Sequence, residues 1–139
     1  MTPLERALPR LLERALKDGY RVLLLAGSAE RVEHLNQLLW TYDEASFLPH
    51  GSARDGNAER QPIFLAASDG NPNQATMLVL VDGAQGAALE AYQRVCDMFD
   101  GNDEAAVVDA RRRWRAAKAA GHALTYWEQT GAGWVKRGE

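Results

Sequence analysis

Three short, mostly apolar segments constrain the fold of this chain more than any other feature of its sequence. They occupy residues 20–26, 62–67 and 76–81, with the sequences YRVLLLA, PIFLAA and TMLVLV. A strand that is apolar on both faces is typical of the centre of a sheet that helices cover on each side. We therefore predict a three-layer α/β sandwich with a mostly parallel central sheet.

Apolar periodicity and capping residues place helices between these strands. Thr2 is a predicted cap of the first helix and Gly19 is its predicted end, while Pro9 is expected to bend that helix or delay its start. Ser28 is predicted to cap the second helix. The predicted helices span residues 2–19, 29–40, 87–99 and 103–121, the last one capped by Asn102 or Asp103, and residues 123–129 and 133–136 are predicted to form a terminal hairpin.

Length and composition restrict the class of protein. The 139 residues suit one domain with a real core, which we assign to residues 1–139. A formal net charge of −3 argues against broad electrostatic binding of nucleic acid. No apolar run approaches the roughly 20 residues that cross a bilayer, and the first ten residues lack the pattern of a signal peptide. Cys96 is the single cysteine, which excludes an internal disulfide and favours a reducing, cytoplasmic location.

A nucleotide-dependent enzyme is the main catalytic alternative. The turn from Gly27 to Glu30 joins a strand to a helix, and a helix N-terminus in that place can hold phosphate. However, the turn has neither a three-glycine fingerprint nor a GK[ST] ending, and Glu30 would repel an anion. Asp82 ends an apolar strand, as a metal-holding residue would, but no phosphate loop accompanies it. We expect no cofactor, and the enzyme stays open as an alternative.

The histidines and the cysteine form no recognisable catalytic or metal-binding set. His34, His50 and His122 lie far apart in sequence and show no metal-ligand spacing. Cys96 falls on an apolar stripe, so we expect it to be buried as a small hydrophobic residue. His50 follows Pro49 and is interpreted as a structural hydrogen-bonding residue. No catalytic residue and no metal ligand are predicted.

Residues 38–56, LLWTYDEASFLPHGSARDG, have no apolar pattern that could form a core of their own. Trp40, Tyr42, Phe47 and Leu48 fit neither a helical nor an alternating period. Such a segment must lie over a framework built by the rest of the chain, and loops held in this way often bind partners. We interpret the segment as a recognition surface with Trp40 and Phe47 as its apolar anchors.

A cluster of basic residues around one tryptophan is the strongest local signal of binding. Arg111, Trp114, Arg115 and Lys118 recur at helical spacing and share one face of the last predicted helix. Cations beside an aromatic ring can hold an acidic peptide that carries an apolar side chain. They could also bind single-stranded nucleic acid by stacking and phosphate contacts. A solvated helix with Trp114 turned into the core explains the spacing equally well.

Several segments taken together resemble the chi subunit family of bacterial DNA polymerase III. They run in order along nearly the whole chain: PLERALPRLLERAL, RVLLLAG, LNQLLWTYDEASFLPHG, PIFLAA, LVLVDG, FDGNDE and ARRRWRAAKAAGH. The most specific part is Leu-Trp, five residues, then Ser-Phe-Leu-Pro-His. The resemblance implies a non-catalytic accessory protein of the clamp-loader assembly, with a fold similar to nucleotide-binding domains but without their nucleotide site.

The family also implies partners and residues that hold them. Its members bind the acidic, phenylalanine-ending C-terminal tail of single-stranded-DNA-binding protein, the psi subunit and, in some organisms, a helicase-related protein. DNA is then reached only indirectly. Carried over by position, the tail pocket matches Arg111, Trp114 and Arg115, with Phe99 beside it and Lys118 on the same helical face. Trp40 and Phe47 match aromatic residues associated with partner docking.

Two departures from the family pattern accompany this resemblance. The family begins with a strand before its first helix, whereas this chain opens almost directly at Thr2 and Pro3. We therefore expect the sheet to lack that strand and to expose an edge. Trp114 stands where a tyrosine can occur, which keeps a stacking surface but removes a hydroxyl group.

Overall fold

The central sheet of the molecule has seven strands within the residues that the computed structural model describes, which are 4–41, 50–52, 58–67, 70, 72–81, 83–84, 92–100, 103–121, 124–130 and 133–137. The elements, in chain order, are α1 (Leu4–Lys17), β1 (Val22–Leu25), α2 (Ala29–Thr41), β2 (His50–Ser52), β3 (Ile63–Ala66), β4 (Met77–Val81), β5 (Arg94–Asp100), α3 (Glu104–Ala119), β6 (Leu124–Thr130) and β7 (Gly133–Arg137), with one 3-10 turn at Ala58–Arg60.

The strand order β2-β3-β1-β4-β5-β6-β7 confirms the predicted, mostly parallel sheet. Every neighbouring pair is parallel except β6 and β7, which form the predicted antiparallel terminal hairpin. β1 lies between β3 and β4, with Leu24 opposite Leu65 on one side and Val79 on the other. The predicted apolar strands β1, β3 and β4 are therefore all inner strands, where both faces are covered.

The helices divide between the two faces of the sheet, which confirms the three-layer architecture. On one face, buried residues of α1 and α2 such as Leu12 and Leu35 pack with Leu24 and Val79. On the other face, Ala117 of α3 packs in a second cluster built by residues that include Leu23, Leu25, Phe64, Leu78 and Leu80. Alternate residues of one strand thus enter different cores, because successive strand side chains point to opposite faces.

The first helix is continuous through its proline. α1 begins at Leu4 and contains Pro9, so the predicted later start is wrong. It ends before Gly19, as predicted, and Gly19 has φ +90°, a backbone conformation that glycine adopts without steric cost. Leu8 and Leu12 are fully buried, so packing against the sheet compensates for the backbone hydrogen bond that proline cannot donate.

The prediction of a helix over residues 87–99 is wrong for its described part. Arg94–Asp100 is strand β5, which pairs in parallel with β4 and β6. Val95, Cys96, Met98 and Phe99 are all buried, because β5 is covered on both faces. A short apolar run of this kind fits a helix and a buried strand equally well, and only pairing with distant strands decides between them. Cys96 is buried as expected, but on a strand.

A hydrogen-bond cluster joins the amino-terminal ends of the central strands. The side-chain amide of Asn73 donates to the carbonyl oxygens of Val22 at 2.9 Å and Gln61 at 3.0 Å. Arg21 donates from Nε to the carbonyl of Asn73 at 2.9 Å and from Nη2 to the carbonyls of Glu59 and Gln61 at 3.0 and 3.2 Å. These bonds tie the starts of β1 and β3 to the connection that leads into β4.

Candidate partner-binding surfaces

Helix α3 carries the basic residues, and its boundaries follow from local chemistry. Asp103, one of the two predicted caps, accepts hydrogen bonds on Oδ1 from the backbone N–H groups of Ala105 at 3.0 Å and Ala106 at 3.3 Å. An aspartate in this place satisfies free donors and complements the helix dipole. At the other end Gly121 has φ +85° and donates its N–H to the carbonyl of Lys118 at 3.0 Å.

The sheet-facing side of α3 is built mainly from small residues. Ala110 and Ala117 are buried, with 1% and 3% of their surface exposed. Trp114 is half-buried and packs on the second core cluster. The tryptophan is therefore neither wholly in the core nor wholly a surface platform. Part of its ring contributes to folding, and part remains at the edge of the helix.

A buried ion pair joins α3 to the sheet. Asp97 is fully buried on β5, and Arg113 contacts its carboxylate through two nitrogens, Nε to Oδ2 and Nη2 to Oδ1, the second at 3.1 Å. The Arg113 side chain is 11% exposed. Burial raises the pKa of the Asp97 carboxyl above its ordinary value of 3.8, while the hydrogen bonds and charge of Arg113 act in the opposite direction.

Sequence reasoning missed both members of this pair. Arg113 lies in a run of three arginines, in which nothing distinguishes it from its neighbours, and Asp97 lies in the segment predicted to be a helix. A signal was nevertheless present, because Asp97 is a charged residue between Cys96 and Met98 in an otherwise apolar run. A buried carboxylate requires a cationic or hydrogen-bonding partner.

The outer side of α3 displays the predicted cations. Arg111, Arg115 and Lys118 are exposed, and no carboxylate of the described residues lies within ion-pair distance of them. Lys118 Nζ lies 4.9 Å from the centroid of the Trp114 ring, a cation–π contact. We call Arg111, Trp114, Arg115 and Lys118 the basic face.

The other arginines of α3 have carboxylate partners. Arg112 Nη2 lies 3.5 Å from Asp109 Oδ1 in an exposed pair, and Arg113 is held by Asp97. The cations of the basic face thus differ from the neighbouring arginines in position, and also because they have no carboxylate partner among the described residues. Phe99, predicted beside the face, is 6% exposed on β5. It is two residues beyond Asp97 and so lies on the α3 side of the sheet.

Trp40 marks a second candidate surface, on the opposite side of the sheet. It lies near the end of α2, 50% exposed, and its ring centroid is 4.6 Å from that of His50. His50 itself is buried, and its Nε2 lies 3.1 Å from the carbonyl oxygen of Asn36, which fits the predicted structural role. Phe47, the other predicted anchor, lies outside the described residues, as do Tyr42 and Leu48.

The turn before α2 contains the N-cap residue of that helix, Ser28. Ser28 Oγ accepts a hydrogen bond from the backbone N–H of Arg31 at 3.1 Å, as predicted. A cavity of about 510 Å³ adjoins this first turn, lined mainly by apolar residues of α2 and β3, with Glu33 and Ser52 as its polar members. A carboxylate in that position disfavours a phosphate group. Asp82 and His122 lie outside the described residues.

Within the described ranges no group of three or more His, Cys, Asp or Glu side chains is arranged to hold a metal ion. No helix among these residues has the length and apolar character needed to cross a membrane.

Comparison with known proteins identifies the family. The family model for the DNA polymerase III chi subunit, HolC, matches residues 1–125. The chain is also similar to the probable DNA polymerase III subunit chi of Rickettsia prowazekii (strain Madrid E), with 36% identity over 94 residues. The aligned segment covers 68% of this chain and 57% of that relative. This chain belongs to the DNA polymerase III chi subunit family.

Proposed function

We propose that this protein is a non-catalytic accessory subunit of the replicative DNA polymerase III assembly. In this role it links the clamp loader, in the cytoplasm, to the acidic C-terminal tail of single-stranded-DNA-binding protein. The observation that carries the proposal is the basic face, where three exposed cations without a carboxylate partner among the described residues surround a half-buried tryptophan. Family membership supports the replication role.

The chemistry of the basic face suits an acidic peptide with an apolar end. Arg111 and Arg115 can pair with carboxylates of the tail, including the terminal one, and an arginine fork binds a carboxylate through two parallel hydrogen bonds. Lys118 adds a third charge, and the exposed part of Trp114 offers an apolar surface to the last side chain. Phe99 is buried on β5, on the same side of the sheet as α3.

A second partner is proposed for the Trp40 surface. The psi subunit, another clamp-loader component or a helicase-related protein would dock there, with Trp40 and Phe47 as anchors. Half of the Trp40 surface is exposed, and tryptophan is among the residues most often found as anchors of protein interfaces. α2 and α3 pack in different core clusters on opposite faces of the sheet, which would let both partners bind together.

A peptide titration tests the tail-binding function. We expect a peptide ending in Asp-Asp-Asp-Ile-Pro-Phe to bind the wild type in isothermal calorimetry, and added salt to weaken that binding. Loss of a charge-assisted hydrogen bond costs roughly 1.5–3 kcal/mol. Arg111→Ala should therefore bind about 10- to 150-fold more weakly.

Two variants control this titration. Arg112→Ala removes a neighbouring arginine that is already paired with Asp109. Trp40→Ala alters the opposite face of the sheet. Both should keep the wild-type affinity within about twofold, because neither side chain belongs to the basic face. No binding to the wild type, or equal affinity of wild type and Arg111→Ala, would overturn the proposed function.

A measurement of melting temperature tests the alternative of a nucleotide-dependent enzyme. Because the turn at Ser28 is a capped helix start next to Glu30 and Glu33, ATP, GTP or NAD with Mg²⁺ should leave the melting temperature unchanged. A reproducible upward shift with any of them would favour that alternative.

A further inference from the structure

The contact between α3 and the sheet contains little that could fix the orientation of the helix by shape alone. Its buried positions are Ala110 and Ala117. Methyl groups let a helix approach a sheet closely, but they interlock weakly, and well-defined packing is what selects one arrangement among several. Trp114 also packs on this core, but it is only half-buried.

The Asp97–Arg113 pair supplies a constraint on the orientation of α3 that the small alanine side chains do not provide. Two nitrogens of one guanidinium contact both oxygens of one carboxylate, which fixes distance and orientation together. A Cβ atom built on Gly83 would lie 3.9 Å from Nη1 of Arg113, so the third nitrogen faces the turn after β4. The guanidinium therefore lies where α3, β5 and this turn meet.

We propose that the buried Asp97–Arg113 pair sets the rotation of α3 and thereby positions the basic face, so that Arg113 acts as a positioning residue for the acidic peptide. This inference rests on the proposed function for its partner. It adds a residue that contacts no peptide itself. Fixing a helix register is the best-attested use of a buried polar group.

Helix geometry explains how one inward residue places the others. Successive residues of an α-helix are rotated by about 100°. Arg111 and Arg115, two positions before and after Arg113, therefore lie about 160° away from it and face solvent when Arg113 faces the sheet. Trp114 lies about 100° from Arg113, at the boundary between core and solvent, as observed. Rotation by a single residue would bury or fully expose its ring.

The test compares two double variants that each leave the net charge unchanged. Asp97→Leu/Arg113→Met replaces the buried pair by apolar side chains, a change that often preserves stability. Asp109→Ala/Arg112→Ala removes the exposed pair on the same helix and is the matched control. Thermal melting, peptide affinity and solvent exchange of the Trp114 indole N–H, assigned by NMR with Trp114→Phe, are measured for both.

We expect the buried-pair variant to melt cooperatively, to bind the peptide about tenfold more weakly and to show altered exchange of the Trp114 indole. The control variant should match the wild type in all three measurements. A buried-pair variant that folds, binds with wild-type affinity and keeps the wild-type indole signal overturns the inference.

Two further outcomes are covered by additional measurements. If the wild type binds no peptide, the proposed function fails, and the Trp114 indole signal alone decides whether the pair orients the helix. If the double variant does not fold, Arg113→Lys keeps the charge but loses the two-nitrogen contact. It should bind the peptide more weakly than wild type and alter the indole signal, and wild-type behaviour in both respects overturns the inference.

Discussion

Asn73 has no exposed surface, and its position shows how a single polar residue can stabilise a parallel sheet. Its side-chain amide satisfies the carbonyl oxygens of Val22 and Gln61, which lie next to or at the starts of β1 and β3. A buried polar group without partners is costly, so these bonds are needed once the residue is enclosed.

Replacing this side chain should destabilise the protein more than its size suggests. Asn73→Ala removes the amide that donates to two carbonyl oxygens, and the Gln61 oxygen then keeps only its longer bond from Arg21 Nη2, so we expect the free energy of unfolding to fall by about 1–3 kcal/mol. Urea denaturation followed by circular dichroism measures the loss. Gln74→Ala changes an exposed amide in the same turn and should stay within about 0.5 kcal/mol of wild type. Equal losses for the two variants would contradict the role assigned to Asn73.

At the scale of elements, β5 and α3 form the unit on which the candidate site depends. β5 supplies Asp97 and Phe99, and α3 supplies Arg113 and the basic face. Capping at Asp103 could be predicted from sequence, because a cap acts over three residues. The strand could not, because its pairing with β4 and β6 joins residues that are distant in the chain or ambiguous in pattern.

The link between these two elements should appear in the pH dependence of stability. Burial raises the pKa of Asp97 in the folded protein above its unfolded value. Between these values the folded protein keeps a proton that the unfolded chain releases. The stability contributed by Asp97 is therefore fully present below the unfolded pKa and is lost as pH rises through the folded pKa.

Comparison of wild type with Asp97→Asn isolates this contribution. Urea denaturation is followed in steps from about pH 3.5 to about pH 7, a range that begins near the ordinary pKa of aspartate. The difference in unfolding free energy, wild type minus variant, should fall as pH rises. A difference that grows with pH would mean that the charge of Arg113 outweighs burial and lowers the pKa instead.

At the scale of the whole molecule, the overall charge and the local charge have opposite signs. The chain carries a formal net charge of −3, while the basic face concentrates Arg111, Arg115 and Lys118 on one helix. A long polyanion meets the whole molecular field, whereas a short acidic tail meets mainly the local face. This difference favours a peptide partner over direct binding of nucleic acid.

Direct binding of single-stranded DNA is therefore expected to be absent or very weak. A fluorescent oligonucleotide should show no rise in anisotropy with roughly 10 μM protein at physiological salt, since tight non-specific binding requires many phosphate contacts. Adding single-stranded-DNA-binding protein should bring the chain to the DNA, and Arg111→Ala should prevent this. Binding without that helper, with a steep dependence on salt, would favour the direct nucleic-acid binder.

The sequence by itself determined the features that depend on neighbours along the chain. The apolar runs identified three of the five inner strands, β1, β3 and β4, and Ser28 and Asp103 identified two helix starts. Spacing in α3 placed Arg111, Arg115 and Lys118 on one face. These features follow from periodicity and from short-range hydrogen bonds, which act within a few residues and can be read in order.

Tertiary structure alone decided the features that join distant residues. Pairing made β5 a strand and made His50–Ser52 a short strand at one side of the sheet. Packing left Trp114 half-buried, brought Arg113 to Asp97, and placed Trp40 and the basic face on opposite faces of the sheet. Strand pairing and burial depend on residues that meet only in the folded chain, and no local pattern contains that information.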